Sequence, residues 1–228
     1  MTRQAAVEDW PTLRHTFSRG LRSIFYITIP SAIGLLALGE PIVRLLFQAG
    51  EFGPDDTAAT AYALLFYAPG LVALSGTQLL TRIYYSLQDT RTPVKVGIQA
   101  VIINTILSLG FLKFTSLDSG GLALAYSITN IVNMTSYILR LRKKLGTIDG
   151  RRILTCIVKA SAAASAMGLV VYQLTEFIGS RIDLAAAAGR IFQVIVPMGA
   201  GAVIYFALTL VLRMEELKFV GEMFRRRR

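Results

Sequence analysis

The polar residues standing inside long apolar runs are the ones whose types and spacing could do chemistry in this chain. Between positions 93 and 112 they include Gln99, Asn104, Thr105 and Ser108; between 121 and 139 they include Ser127, Thr129, Asn130, Asn133 and Thr135. On a helix Asn104 and Ser108 are one turn apart and share a face. Such groups, held away from water, must find partners. Two readings follow: a polar cavity with a cation site, or ordinary hydrogen bonding between helices. Lys159 lies within an apolar run, two turns from its end. Its ammonium can snorkel back to the head-group region or touch an anionic substrate or head group.

A second constellation is the polar stretch Tyr84 to Val94, which reads Tyr-Tyr-Ser-Leu-Gln-Asp-Thr-Arg-Thr-Pro-Val. Thr92 before Pro93 predicts a helix start, with the threonine hydroxyl accepting an orphan backbone N–H and proline at the first helical position. Asp89, Thr90 and Arg91 then make a tight turn, with Asp89 in reach of Arg82 or Arg91. Elsewhere there is no HExxH, no glycine-rich phosphate loop, no paired cysteine and no nucleophile beside a base, so an enzyme is not expected. Cys156, the single cysteine, lies in an apolar run and is read as packing. His15 stands among Arg14, Arg19 and Arg22 without a second kind of metal ligand and is read as a head-group contact.

The elements that must position these residues are membrane spans. Of the 228 residues, 54% are hydrophobic and 17% charged, against about a quarter charged in soluble domains. Residues 1–22 read as a polar lead-in, with an interfacial helix from Thr12 to Ser23 and no signal-peptide pattern. Six apolar runs follow, each suited to a crossing of about 20 residues. The first, Ser23 to Leu38, is interrupted by Gly39-Glu40-Pro41 before a short interfacial piece, Ile42 to Phe47. The second, Asp56 to Leu80, opens on Asp55-Asp56-Thr57, where carboxylates suit the helix dipole, and Pro69-Gly70 should kink it. The others are Pro93 to Leu112, Gly121 to Leu139, Ile153 to Phe177 and Leu184 to Leu212, the last with Pro197 and the small residues Gly199, Ala200, Gly201 and Ala202. The expected fold is an all-α integral membrane protein of six transmembrane helices. Its parts are the lead-in 1–22, four spans over 23–139, a basic connector 140–152, a two-span pair over 153–212 and a basic tail 213–228.

Charge orients the bundle. The N-terminus, the connector 81–95, the connector 140–152 and the tail carry nineteen Lys and Arg; the alternate gaps carry four, namely Arg44, Lys113, Arg181 and Arg190. The positive-inside rule then places both termini in the cytoplasm. The net charge of +10 lies in these gaps, and in the tail Arg225 to Arg228, so it suits lipid head groups rather than nucleic acid.

Several segments resemble one family. Leu46-Phe47-Gln48-Ala49-Gly50-Glu51-Phe52, Asp56-Thr57, Ala63-Leu64, Tyr67-Ala68-Pro69-Gly70 and Tyr84 through Val94 are, in order and spacing, similar to the MurJ/MviN family of lipid II flippases, in the multidrug, oligosaccharidyl-lipid and polysaccharide exporter superfamily. The family has fourteen spans, and the chain resembles the last six. The resemblance implies the remainder of a second lobe plus the extra C-terminal pair, whose groove holds the lipid tail. It implies a bacterial inner-membrane transporter that moves lipid-linked peptidoglycan precursor (lipid II or a similar undecaprenyl-linked substrate) outward by alternating access. The partners would be that substrate, membrane lipids and the eight N-terminal spans, including most of the family's arginine-rich cavity, that the chain does not contain. Arg82, Asp89, Thr90, Arg91, Thr92 and Pro93 would belong to a cytoplasmic gate. No organic cofactor is implied; a sodium ion or the membrane potential would drive transport. Some members hold sodium with an asparagine and an acid on the span matching Pro93 to Leu112 and a hydroxyl on the next. Asn104 matches that asparagine, Ser127 or Thr129 the hydroxyl, and Ser108 stands where the acid would be. The alternatives are another lipid-linked oligosaccharide exporter of the same superfamily, or a structural fragment incompetent in transport.

Overall fold

The computed structural model describes residues 10–146, 149–184 and 186–217. The first nine residues and the tail Arg225 to Arg228 lie outside the described residues. Six α-helices follow one another: α1 (Trp10–Phe47), α2 (Pro54–Ser86), α3 (Arg91–Phe114), α4 (Asp118–Leu145), α5 (Gly150–Gly179) and α6 (Ala187–Val211). All six are long and apolar enough to cross a membrane, where a helix satisfies its own backbone groups. The chain is a multi-pass membrane protein.

Helix α1 sits at the centre of the packing, against α2, α5 and α6; α4 packs against α2 and α3. The contacts rely on small residues. A Cβ on Gly70 would come 2.5 Å from Ser127 Oγ, one on Gly168 2.5 Å from Ile33, and one on Gly201 2.6 Å from Val171. Close approach of backbones is how helices associate where lipid offers no hydrophobic contrast. Of the small cluster in α6, Gly201 makes this approach and Gly199 faces open space. Helix α3 buries little beyond Pro93 and Val96, and Ile98, Val101, Ile102, Ile106 and Leu109 are exposed.

Two expectations about α1 are corrected. The lead-in from Thr12 to Ser23 is not a separate interfacial helix; it is continuous with α1, and Leu13, Phe17 and Leu21 are buried in the core. Nor do Gly39-Glu40-Pro41 interrupt the helix, which carries both Pro30 and Pro41 and runs on to Phe47. An ion pair between Glu40 and Arg44, one turn apart, spans the expected break. Pro30 cannot donate to the carbonyl of Tyr26, four residues earlier. The hydroxyl of Tyr205 on α6 donates to that oxygen instead, at 2.8 Å, so a proline in one helix is repaired by a tyrosine from another.

Helix α2 begins at Pro54 rather than Asp56. Asp56 accepts from Gly53 N–H at 2.9 Å, the N-terminal carboxylate that the dipole favours. The helix ends in a Schellman turn: Gln88 takes a left-handed φ of 57°, and Asp89 N–H donates to Tyr84 C=O at 2.9 Å.

Candidate functional site

The turn between α2 and α3 is built around Asp89. Its carboxylate accepts from the Thr92 backbone N–H at 3.0 Å and from the Thr92 hydroxyl at 2.7 Å. This reverses the expected cap: the helix starts at Arg91, and Asp89, not Thr92, supplies the acceptor. The expected partner also changes. Among the described residues Asp89 is ion-paired with Lys144, near the end of α4, rather than with Arg82 or Arg91, which are exposed. The Lys144 ammonium also lies 5.7 Å from the centre of the Tyr84 ring. Burial opposes ionisation of Asp89, but the hydrogen bonds from Lys144 and Thr92 outweigh it and bring its pKa down to about 2. Thr90 is exposed and Pro93 buried. Tyr84 ties the turn to α4 by donating to Tyr137 C=O at 3.0 Å.

The polar residues of α3 and α4 divide among several partners. Ser127 Oγ accepts from Gly70 N–H at 3.1 Å and donates to Phe66 C=O. Those two backbone groups are four residues apart, the pair an uninterrupted helix would join directly. Its hydroxyl therefore stands in the α2 ladder beside Pro69. Thr129 donates to Ala125 C=O of its own helix at 2.7 Å. Gln99 on α3 reaches Ser136 on α4 at 3.0 Å, and Asn130 donates to Tyr126 C=O at 2.9 Å. Asn104 and Ser108 stand half-buried on α3. Ser127 and Thr129 thus spend their hydroxyls on α2 and on their own helix, not toward Asn104 and Ser108.

A buried charge cluster joins α1, α5 and the end of α6. Arg22 Nη1 lies 3.0 Å from Glu215 and 2.9 Å from Glu216, and the side chains of Arg22 and Glu216 are 8% and 5% exposed. The Cys156 thiol, buried as expected, approaches Arg22 C=O at 3.6 Å. Tyr26 and Thr209 share a hydrogen bond of 3.0 Å one turn further along α1. Lys159 is half-buried, and its Nζ donates to Leu212 C=O at 2.9 Å, satisfying a carbonyl at the end of α6. Arg22, Cys156, Lys159, Glu215 and Glu216 line a cavity of about 430 Å³ that also includes Asp149, Arg151, Arg152 and Arg213. Beyond Tyr26 and Tyr205, a largely apolar groove of about 520 Å³ runs between α1, α5 and α6, past Pro30, Gly34, Leu38, Met167 and Met198.

Sequence reasoning missed Lys144 as a specific partner and the whole Arg22 cluster. Glu215-Glu216, an acidic pair directly after the last span on the basic side, was the signal that could have pointed to it.

Six apolar spans packed through small residues and shared helix-ladder hydrogen bonds, with basic connectors at one end, define a polytopic membrane protein. The family model described as "Lipid II flippase MurJ" matches residues 1–208, and the chain belongs to that family. A probable lipid II flippase MurJ of Vibrio cholerae is 39% identical over 53% of this chain and 22% of its own length. That of Thermotoga maritima is 32% identical over 85% of this chain and 37% of its own. A solved structure, "Lipid II flippase MurJ, inward closed conformation", superposes with a TM-score of 0.74 at 23% identity, over 92% of this chain and 41% of that one. The chain therefore spans well under half the length of these relatives.

Proposed function

We propose that this chain forms the C-terminal six spans of a bacterial inner-membrane transporter, not an enzyme, that flips lipid II outward by alternating access. The observation that carries the reading is the family match over residues 1–208. Both termini would face the cytoplasm, with the Asp89–Lys144 clasp on that side as part of the gate. The groove between α1, α5 and α6 suits an undecaprenyl-like tail, being lined mostly by aliphatic and aromatic groups. The head needs more. A charge at the bilayer midplane costs about 2.5 kcal/mol or more, so a pyrophosphate needs buried cations on its way. Here Arg22 is matched by Glu215 and Glu216, and Lys159 by a carbonyl. The remaining cations would come from the other eight spans, against which this lobe rocks. A sodium ion or the membrane potential would supply the driving force, and Asn104, Ser108, Ser127 and Thr129 are where a sodium requirement would be sought.

Complementation tests the reading. In cells depleted of their own lipid II flippase, the chain alone should not restore growth, and the chain joined in cis to the eight preceding spans of a family member should. Rescue by the isolated chain would overturn the need for a second lobe. Failure of the joined form, when inserted and abundant, would overturn the assigned activity.

A further inference from the structure

The cavity at the basic end of α1, α5 and α6 holds more positive charge than its ion pairs consume. Arg22, Arg151, Arg152, Lys159 and Arg213 line it, against Asp149, Glu215 and Glu216. Arg22 meets both glutamates through Nη1, and its Nε is buried without a partner. That nitrogen is sealed from solvent, so an oxyanion entering the cavity of about 430 Å³ would meet the exposed Arg151 and Arg152 instead. Asp149 starts α5 without a side-chain cap, at the helix end where the dipole favours anions. Arg151 and Arg152 follow in that same turn. Arg213 is placed there by a left-handed φ of 48°, a conformation that glycine would adopt without strain. Donors of this kind, planar, forked and permanently charged, match a tetrahedral phosphate.

We propose that this cavity binds a phosphate group, carried by an anionic phospholipid head or present as free phosphate. The phosphate site is defined by these residues alone, so it holds whether or not the flipped substrate is lipid II. Basic pockets between transmembrane helices recognise lipid head groups by the same chemistry.

The test is binding to the purified full chain in a non-ionic detergent, followed by native mass spectrometry and titration. Three probes are compared: dioleoyl phosphatidylglycerol, dioleoylglycerol and inorganic phosphate. Phosphatidylglycerol should bind at least tenfold more tightly than dioleoylglycerol, which has the same tails and no phosphate. The exposed pair Arg151→Gln/Arg152→Gln should weaken phosphatidylglycerol tenfold or more, while Arg181→Gln at the opposite end of α5 leaves it unchanged. Arg213→Gly separates binding from folding, because it should lower affinity severalfold while raising the melting temperature. Inorganic phosphate that binds with the same dependence on these variants, and displaces the lipid, identifies free phosphate as a second source. Equal binding of the two lipids, or undiminished phosphatidylglycerol affinity in both Arg variants, overturns the proposal.

Discussion

Asp89 and Lys144, 55 positions apart in the chain, close an ion pair that fastens the α2–α3 turn to the last turns of α4. Asp89 also caps α3 through Thr92, so one carboxylate fixes both the start of a helix and its neighbour. Asp89→Ala should destabilise the chain by about 1 to 2 kcal/mol, most of it the lost cap. Lys144→Met should cost less than about 1 kcal/mol, since Lys144 is half exposed. Thermal unfolding in detergent measures both, and a larger loss for Lys144→Met would refute the ranking.

The same carboxylate gives a pH dependence with a defined sign. Its pKa in the folded chain is lowered from 3.8 to about 2, so the folded state favours the ionised form. The contribution is complete above the ordinary carboxylate range and is lost as pH falls toward 2. Asp89→Asn should remove this part of the acid sensitivity. Melting temperatures of the two proteins should converge on acidification; parallel curves would contradict it.

Gly70 and Ser127 should be intolerant for different reasons. A Cβ on Gly70 would lie 2.8 Å from the Ser127 backbone Cα, which cannot rotate away. Gly70→Ala should therefore cost about 1 to 3 kcal/mol through overpacking. Ser127→Ala leaves Gly70 N–H without its acceptor and should cost about 1 to 3 kcal/mol as well. The alanine pair together should cost less than the sum, because each disrupts the same contact. Strict additivity in a double-mutant cycle would show that the two sites act independently.

How much of this was legible depended on range. The six spans followed from apolar runs, and the Asp55-Asp56 start of α2 from local chemistry. What misled was punctuation inside helices: Gly39-Glu40-Pro41 looks like a break, yet the helix persists, because a bilayer penalises an open backbone more than a missing bond. Tyr205 repairing Pro30, Ser127 entering the α2 ladder and Lys144 finding Asp89 all depend on residues brought from other helices, which a periodicity cannot reveal. Arg22 is the sharpest case. It reads as one of several topology-setting arginines, but its carboxylate partner Glu215 is 193 positions away.

That burial makes Arg22 costly to change. Arg22→Gln strands Glu216, 5% exposed, and should destabilise by about 3 to 5 kcal/mol, the usual loss when one member of a buried pair is removed. Glu216→Gln should cost less, because Glu215 still meets the guanidinium. Replacing both, as Arg22→Met with Glu216→Leu, should recover much of the loss. Unfolding measurements on the three variants decide it, and a double variant worse than Arg22→Gln would show that the pair is net stabilising.

The final prediction concerns sidedness, and the charges carry it. Arg14 lies beside Gly146, Lys144 binds Asp89 and Arg22 meets Glu216, so the lead-in, both basic connectors and the end of α6 share one end of the bundle. In the sequence those segments carry nineteen Lys and Arg and the alternate gaps four, a bias that should hold that end in the cytoplasm. Single cysteines can report this in a Cys156→Ala background. Gly146 is unsuitable, since its φ of 77° and ψ of −144° would strain any side chain. Gly150 has nothing within 4 Å of an added Cβ, and Gly53, at the opposite end, meets only the Asp56 carboxylate at 3.9 Å. In intact cells a membrane-impermeant maleimide should label Gly53→Cys and spare Gly150→Cys, and the second should react once the membrane is permeabilised. Labelling of Gly150→Cys alone would invert the topology, and labelling of both in intact cells would remove the six-crossing arrangement itself.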